Sequence, residues 1–541
     1  MSSPRHSPLG PCALRALLFV AASVGALSLP LPAQALFPAR PDDIAAAGPS
    51  AGQSMSPATW WKWNSRAYLP ALELHALEEG AARKALAMAM RELEHEHAQV
   101  RAAAARAVGR ASRRCASPEV VPLLRRALND ASEHVRFDAV LALGWNGSRA
   151  AQELLLEIIV RNARREALPL RAWAILALAL SESGASTAHV DAGLETWQAR
   201  SSTMPQELAL ALDLRSRLAA APSSSDRSAN ATTLPAPTPS WSIERGIECS
   251  PELRLETIDR GLRSSDLHTR RSAALELGEL ESAGAAELLR ATLRREREHL
   301  TRAFLFLSLG RRGDPESRSA LERAWRDEST SLRPWCALAL GLHARRTDDA
   351  ELRDQLLRTC ARERNQELFC ATLLACGIAG ERRAEDLAIE TVESARTPAK
   401  RVAAARTLSL IGGAAARVPL REAIFSESCP TTRAVLAEAL GRLAIASDAA
   451  FLLDYLIAHT EEAHRKTIAR SIARLGAPVL PPLEAALARA DLGPEARASL
   501  LDVLGWLGAG EEAAAPLARI LVGSNYMAYP EWLQRALTRL L

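Results

Sequence analysis

A recurring pattern of apolar positions organises this chain. Counting from an arginine, small or apolar residues follow three, four, seven and eight positions later, as in Arg101-Ala104-Ala105-Val108-Gly109. Apolar residues at this spacing share one side of an α-helix. Further copies begin at Arg136, Arg171, Arg270, Arg302, Arg333, Arg401, Arg433, Arg465 and Arg497, and Phe369 takes the arginine slot once. Neighbouring copies lie 31–36 residues apart, except that Arg171 and Arg270 are 99 residues apart, about three periods. A fixed period of this length predicts an α-solenoid.

Each copy predicts two helices joined by a turn. Leu123–Leu128 is typical of an outer helix, Asn129-Asp130 of a turn, and the residues from Val135 onward of an inner helix. Glycines recur near the end of the inner helix, where a missing side chain lets a neighbouring helix come close, at roughly 1 kcal/mol each relative to alanine. They are Gly144, Gly278, Gly310, Gly341, Gly377, Gly441 and Gly505.

The repeated segment resembles a known family. Val135-Arg136-x-x-Ala139-x-x-Ala142-Leu143-Gly144 and Arg497-x-x-Leu500-Leu501-x-Val503-Leu504-Gly505 are similar to the HEAT-like repeats of phycobilin-lyase-type proteins and many bacterial scaffolds. The resemblance covers most of residues 70–541. It implies a curved stack of helix pairs, with the second helix of each pair lining the concave side.

The family also implies a ladder of acid–arginine contacts along the stack. Several copies carry an acidic residue six positions before the arginine: Asp130, Glu296, Asp327, Glu427 and Asp491. His95, Ser264 and Ala395 replace the acid elsewhere, so we expect the ladder to be interrupted there. We expect the repeated arginines to hold the turns between repeats through hydrogen bonds to carboxylates or carbonyls.

Composition divides the chain into five parts. Residues 1–35 read as a signal peptide and 36–59 as a flexible leader rich in Pro, Ala, Gly and Ser. Residues 60–220 hold an aromatic segment and a first repeat block, 221–248 a Pro/Ser-rich linker, and 249–541 a second repeat block. The aromatic segment, Trp60–Leu69, is similar to leaders of some exported bacterial repeat proteins. We expect it to cap the open end of the core, although stacking on a carbohydrate or a Pro-rich peptide stays open.

The N-terminus predicts export. Arg5 and Arg15 precede an apolar run that ends near Leu29, and Ala33-Gln34-Ala35 offers a small-x-small cleavage site. The run is only about 14 residues long, and a spanning helix needs about 20, so a signal peptide is favoured over a membrane anchor. We therefore expect a periplasmic or secreted bacterial protein with no membrane span after cleavage.

Composition narrows the partner classes. Hydrophobic residues make up 48% of the 541 residues but aromatic residues only 4%, which favours closely packed Ala/Leu helices. The formal net charge is +4, and so nearly balanced a chain gives no support for a nucleic-acid or strongly membrane-attracted protein.

The candidate site is a stripe on the inner helices. Positions two, five and nine after the arginine lie opposite the core stripe, on the side expected to face a concave groove. The stripe is apolar at Trp173, Leu176, Phe304, Leu307, Trp335, Leu338, Leu342, Leu374 and Ile378, then basic at Arg406, Arg442, Arg470 and Arg474. An exposed apolar patch marks a partner site. The alternative is that tight curvature, an end cap or the Pro-rich segment buries these residues.

Catalytic and metal-binding patterns are missing from the sequence. His95 and His97 are two positions apart, so on a helix they point to different faces. There is no His-Glu-x-x-His, metal-type cysteine cluster, nucleotide loop or nucleophile triad, so we predict no metal and no cofactor. The leading hypothesis is a non-catalytic scaffold that holds an unidentified protein or peptide. The alternative, implied by the phycobilin-lyase resemblance, is a lyase or cofactor-handling enzyme.

Overall fold

The computed structural model describes residues 77–509, apart from 114, 116, 161–167, 182–186, 201–207, 209–210, 213–250, 266, 279, 281 and 460–461. The predicted signal peptide, leader, aromatic segment and linker lie outside these residues, as does the chain after residue 509. Within the described residues, the regular secondary structure is entirely helical.

Helix pairs build both blocks, as the repeat pattern predicts. In the first block the outer helices are α1 (Glu79–Arg91), α3 (Val120–Ala127), α5 (Arg149–Val160) and α7 (Thr187–Arg200), and the inner helices are α2 (Ala98–Ser112), α4 (Glu133–Asn146) and α6 (Leu168–Leu180). Together with the second block they form an all-α solenoid.

Eight pairs lie in the described residues of the second block. Its outer helices are α8 (Pro251–Leu262), α10 (Ala283–Arg295), α12 (Pro315–Asp327), α14 (Ala350–Arg362), α16 (Ala384–Ser394), α18 (Arg417–Ser426), α20 (Ala449–Ala458) and α22 (Leu480–Leu487). Its inner helices are α9 (Leu267–Leu277), α11 (His299–Arg312), α13 (Arg333–Thr347), α15 (Gln366–Ala379), α17 (Pro398–Ile411), α19 (Pro430–Arg442), α21 (Glu462–Ala473) and α23 (Pro494–Ala509).

Local chemistry sets the helix ends. Asp314, Asp349 and Asn365 each accept a hydrogen bond from the main-chain N–H three residues later, at 2.8, 2.9 and 3.0 Å, and so cap α12, α14 and α15. Proline occupies the first turn of α12, α13, α17 and α19, where its missing N–H leaves no helical bond unmade. The helices therefore begin where the sequence supplies a cap or a proline.

The inner helices do not stack in the order of the sequence. Within each block, each packs against the next, from α9 to α23 and from α2 to α6. The most extensive contact between any two helices, however, joins α23 to α2. The N-terminal block therefore follows the C-terminal repeats in space, and eleven inner helices of the described chain run from α9 through α23 and α2 to α6.

At the contact between α23 and α2, as at other contacts between inner helices, a glycine lets the two helices pack closely. A methyl group added at Gly341 would lie 3.0 Å from Cα of Ala375 in the next inner helix, and one added at Gly505 would lie 3.0 Å from Cα of Ala107. Real Cβ atoms almost never come closer, so a side chain would push the helices apart. The predicted role of the inner-helix glycines is confirmed at these contacts.

The repeated arginines hold the turns, as predicted. Arg101 donates to the main-chain oxygen of His95 (2.8 Å) and pairs with Asp130 at the next turn (2.8 Å). The same carbonyl bond joins Arg270 to Ser264 and Arg401 to Ala395, both at 2.7 Å. His95, Ser264 and Ala395 lack the acidic side chain but keep this bond, because every residue offers a main-chain carbonyl whatever its side chain.

Where a repeated arginine forms an ion pair, its acidic partner comes from the following repeat. Arg270 pairs with Glu296 (3.5 Å) and Arg401 with Glu427 (2.7 Å). Arg302 pairs with Glu328 and Arg465 with Glu495 (3.6 Å), so neither uses the acid six positions before the following arginine. Arg497 at the end of the second block pairs with Glu92 in the first (2.9 Å), so the ladder also crosses the junction.

Candidate functional site

The apolar part of the predicted stripe does not face solvent. All nine of its side chains are at most 4% exposed: Trp173, Leu176, Phe304, Leu307, Trp335, Leu338, Leu342, Leu374 and Ile378. The expectation of an exposed apolar groove is therefore wrong, and burial, the alternative left open by the sequence, describes these positions.

Crowding between inner helices explains the burial. Each inner helix within the stack is flanked by two others and by its own outer helix, and its largest side chains reach across to the next repeat. The ring of Trp335 in α13 meets Phe304 in α11 edge-on at 6.0 Å, and Trp173 in α6 stacks on Phe137 in α4 at 4.3 Å. A helical wheel shows the direction of a side chain but not whether bulky neighbours cover it.

The basic part of the stripe keeps partial access to solvent. Arg406, Arg442, Arg470 and Arg474 are all half-buried, on or just after the consecutive inner helices α17, α19 and α21. Arg442 forms an ion pair with Glu438 on its own helix (2.7 Å). The guanidinium of Arg470 lies 4.8 Å from the centre of the Trp506 ring on α23. These contacts link the basic stripe to the junction between the blocks.

The junction adds residues that the repeat pattern did not single out. Arg106 on α2 binds Asp502 on α23 (3.2 Å) and Asp138 on α4. Arg110 on α2 lies between two indoles, 4.1 Å from the Trp506 ring and 4.6 Å from the Trp145 ring. We call the whole set the charged section: Arg106, Arg110, Asp138, Trp145, Arg406, Glu438, Arg442, Arg470, Arg474, Asp502 and Trp506.

The residue five positions after the repeated arginine alternates in charge from one inner helix to the next. In stack order from α17 to α2 these residues are Arg406, Glu438, Arg470, Asp502 and Arg106. Nine positions after the repeated arginine, three of these repeats carry a further arginine: Arg442, Arg474 and Arg110. The charged section thus contains six guanidinium groups and three carboxylates, an excess of three positive charges; Arg110 and Asp138 are buried, and the other seven groups are half-buried.

Burial lowers the pKa values of the arginines in the charged section, whereas neighbouring carboxylates raise them. Burial lowers the pKa of Arg110 to about 10, and nearby Arg106 adds to this although Asp502 and Asp138 oppose it. Burial likewise lowers the pKa of Arg406 to about 10. Burial alone would also lower the pKa of Arg106, but Asp502 and Asp138 outweigh it and raise the pKa. All three arginines stay protonated at neutral pH, which makes the section a fixed cationic surface.

The sequence places the missed residues in the same repeat positions as the predicted arginines, but their role cannot be recognised from one repeat alone. Arg106 and Asp502 occupy the same repeat slot as Arg406 and Arg470. Their relation appears only when α23 is placed before α2, an order that the sequence alone does not show. Trp145 and Trp506 occupy the ninth slot, and their role is to pack against Arg110.

Other chemistry is limited within the part of the chain that the structure describes. No group of three or more His, Cys, Asp or Glu side chains converges in a way that would hold a metal ion there. Within the described ranges, no helix is both long enough and apolar enough to cross a bilayer. The six described cysteines are free thiols, and Cys429 alone among them is half-buried rather than buried.

Comparison with known proteins supports the repeat architecture. The model for HEAT repeats matches residues 85–179. The complex of CpcE and CpcF of phycocyanin lyase from Nostoc sp. PCC7120 aligns with 50% of this chain and 99% of its own, at 20% identity and a TM-score of 0.32.

A structure from work on the interaction between cadherin and beta-catenin aligns with 78% of this chain and 98% of its own, at 15% identity and a TM-score of 0.23. At such scores neither similarity bears on what this chain binds. No curated protein matches the sequence.

Proposed function

We propose that this chain, a HEAT-like repeat protein, is a non-catalytic scaffold whose charged section binds an acidic segment of a protein or peptide partner. The observation that carries the proposal is the excess of three positive charges on one inner surface, with Arg406, Arg442, Arg470 and Arg474 only half-buried. Guanidinium groups bind carboxylates through paired, charge-assisted hydrogen bonds. A row of them suits a partner that presents several carboxylates.

The surroundings of the arginines favour binding over a purely structural role. Trp506 contacts both Arg110 and Arg470, and flat aromatic faces orient guanidinium groups without neutralising them. Carboxylates that replace water around such groups gain more from each contact than they would at a fully exposed surface. Complementary charge then supplies orientation and a fast association rate.

The buried apolar residues take no part in this proposal. Their side chains are core, so the partner cannot be anchored by Trp335 or its neighbours without unfolding a repeat. Of the mechanism predicted from the sequence, anchoring by the apolar side chains is dropped. Only the contacts between the arginines and an acidic segment of the partner remain. A partner held mainly by charge binds with an affinity that falls as salt concentration rises.

Four of the six described thiols are held in the protonated form, whereas hydrogen bonding with Thr432 lowers the pKa of the half-buried Cys429. Burial raises the pKa of Cys360 to about 12 and that of Cys370 to about 11, and it also raises the pKa values of Cys336 and Cys376. A thiol must ionise to act as a nucleophile. The lyase or cofactor-handling alternative would need reactive groups converging on a pocket, and the charged section contains no cysteine or histidine.

Affinity capture from the native envelope fraction tests the proposal. The double variant Arg442→Gln and Arg474→Gln removes two cations from the charged section. The matched control, Arg149→Gln and Arg260→Gln, removes two outer-surface cations whose side chains are 81% and 74% exposed. Far-UV circular dichroism checks that both variants stay folded.

We expect the inner-surface variant to lose at least about tenfold in recovery of acidic partners, which corresponds to about 1.4 kcal/mol of binding free energy. The control should recover as much as the wild type. Equal recovery by both variants, or capture that does not weaken with added salt, contradicts the proposal.

We also propose that the protein is exported, with cleavage after Ala35. The basic start, apolar run and Ala-x-Ala motif support this. N-terminal sequencing of the mature protein should begin at Leu36 in an envelope or secreted fraction. A mature start at Met1 in a cytoplasmic fraction contradicts it.

A further inference from the structure

The junction between α23 and α2 has every part of an ordinary contact between repeats. Arg497 pairs with Glu92 at 2.9 Å, as Arg101 pairs with Asp130 at 2.8 Å. Gly505 faces Ala107 as Gly341 faces Ala375. The two blocks therefore meet through a surface built to receive a repeat.

Covalent connection distinguishes this junction from the others. Elsewhere one inner helix leads to the next through a turn and a single outer helix. Here α23 ends at Ala509 while α2 lies near the start of the described chain. The chain that joins the blocks, residues 213–250, instead connects the α6–α7 end of the stack to α8, at the opposite end.

The segment that joins the two blocks is long enough for this junction to form within one chain or between two chains. Ten steps between eleven inner helices, at about 8–10 Å each, give a stack of about 80–100 Å along its course. A segment of about 38 residues reaches about 125–137 Å when fully extended and about 31–37 Å as a random coil. The segment is therefore long enough for the two blocks of one chain to lie in the same stack or in neighbouring stacks.

We propose that this surface also accepts a second copy of the chain, so that two copies exchange their N-terminal blocks. In the exchanged dimer, α2 of each chain packs on α23 of the other, and each stack keeps the same contacts. Exchange of identical elements needs no new interface and is favoured as protein concentration rises. Each dimer then carries two charged sections, because Arg106 and Arg110 come from one chain and Asp502 and Trp506 from the other.

The edge of the junction offers a pair of positions for crosslinking. Nζ of Lys84 on α1 lies 2.6 Å from Oε2 of Glu484 on α22, and both side chains are 48% exposed. The pair lies at the edge of the surface, so cysteine at either position leaves the Arg497–Glu92 contact in place. Every variant carries Cys429→Ser, which removes the one half-buried thiol among the described cysteines, together with Cys12→Ser and Cys249→Ser.

Crosslinking between differently tagged full-length chains tests the exchange. One chain carries Lys84→Cys and the other Glu484→Cys, and the two are mixed at high concentration before a short bis-maleimide is added. The matched control replaces Lys84→Cys with Arg149→Cys, which is exposed but lies on α5. A third sample carries Lys84→Cys and Glu484→Cys on one chain.

We expect a mixed adduct that contains both tags from the first mixture, increasing at least about fivefold with a tenfold increase in protein concentration, because exchange between copies depends on concentration. The control should give little adduct. Internal crosslinking in the double variant without any mixed adduct overturns the exchange. So does a mixed adduct that forms equally with Arg149→Cys, and so does failure of the double variant to crosslink in any form.

Discussion

Truncation of Trp335 tests the corrected view of the inner helices most sharply. Trp335 is fully buried in α13, between α11 and α15, with its ring 6.0 Å from that of Phe304. A buried tryptophan removes about 150–250 Å² from water, which at about 25 cal/mol per Å² corresponds to about 4–6 kcal/mol. Large-to-small changes in protein cores cost about 3–5 kcal/mol, so we expect Trp335→Ala to lose about that much stability.

The assay is urea unfolding followed by far-UV circular dichroism, because removing a tryptophan alters the fluorescence signal itself. Phe425→Ala is the matched control: this ring is 74% exposed and should cost less than about 1 kcal/mol. If Trp335→Ala is as stable as Phe425→Ala, the inner stripe is exposed in solution and the burial argument fails.

The remaining predictions concern ion pairs and the linker. Arg497→Ala should cost about 1–3 kcal/mol, since it leaves the carboxylate of Glu92 unpaired, whereas Arg489→Ala, which breaks the exposed pair with Asp491, should cost clearly less; equal losses in urea unfolding would contradict the junction ladder. Burial opposes ionisation of Glu298, but hydrogen bonds from Arg271 and Thr301 outweigh it and hold the pKa of Glu298 at about 2, below its ordinary value of 4.5. This difference is worth about 3 kcal/mol, or about 2 after solvent screening. The stabilisation is present above pH 4.5 and is lost as the pH falls towards 2, so the wild type should lose its advantage over Glu298→Gln in that range; a constant advantage in acid titrations would refute the assignment. Proteolysis within residues 222–240, whose composition predicts a linker, should leave two fragments that elute together on gel filtration, and their separation would contradict the packing of α23 on α2.

Local periodicity explains how much of the fold could be predicted. The arginine-led pattern identifies each inner helix because apolar spacing reports which residues share a helix face. Gly341 and Gly505 could be assigned to close contacts for the same reason, and Arg101 to the turn before its helix. These features depend on residues within one or two repeats of each other.

Non-local features could not be predicted in the same way. Every repeat end resembles every other, so nothing in the pattern around Arg497 specifies that its partner is Glu92. The charged section depends on this order, which is why Arg106 and Asp502 were missed while Arg406 and Arg470 were selected. The sequence left burial of Trp335 as an open alternative, because helix direction does not reveal the size of the side chains on neighbouring helices.

The order of the blocks is the central claim, since the charged section exists as one surface only if α23 and α2 are neighbours. Pulsed electron spin resonance between nitroxides at positions 84 and 484 measures it directly, in monomeric protein with Cys12→Ser, Cys249→Ser and Cys429→Ser. The side chains at these positions meet at 2.6 Å, so we predict a single narrow distribution at the short end of the measurable range. In a stack that followed the sequence, ten helix steps of about 8–10 Å would lie between the labels. A long or broad distribution would contradict the account.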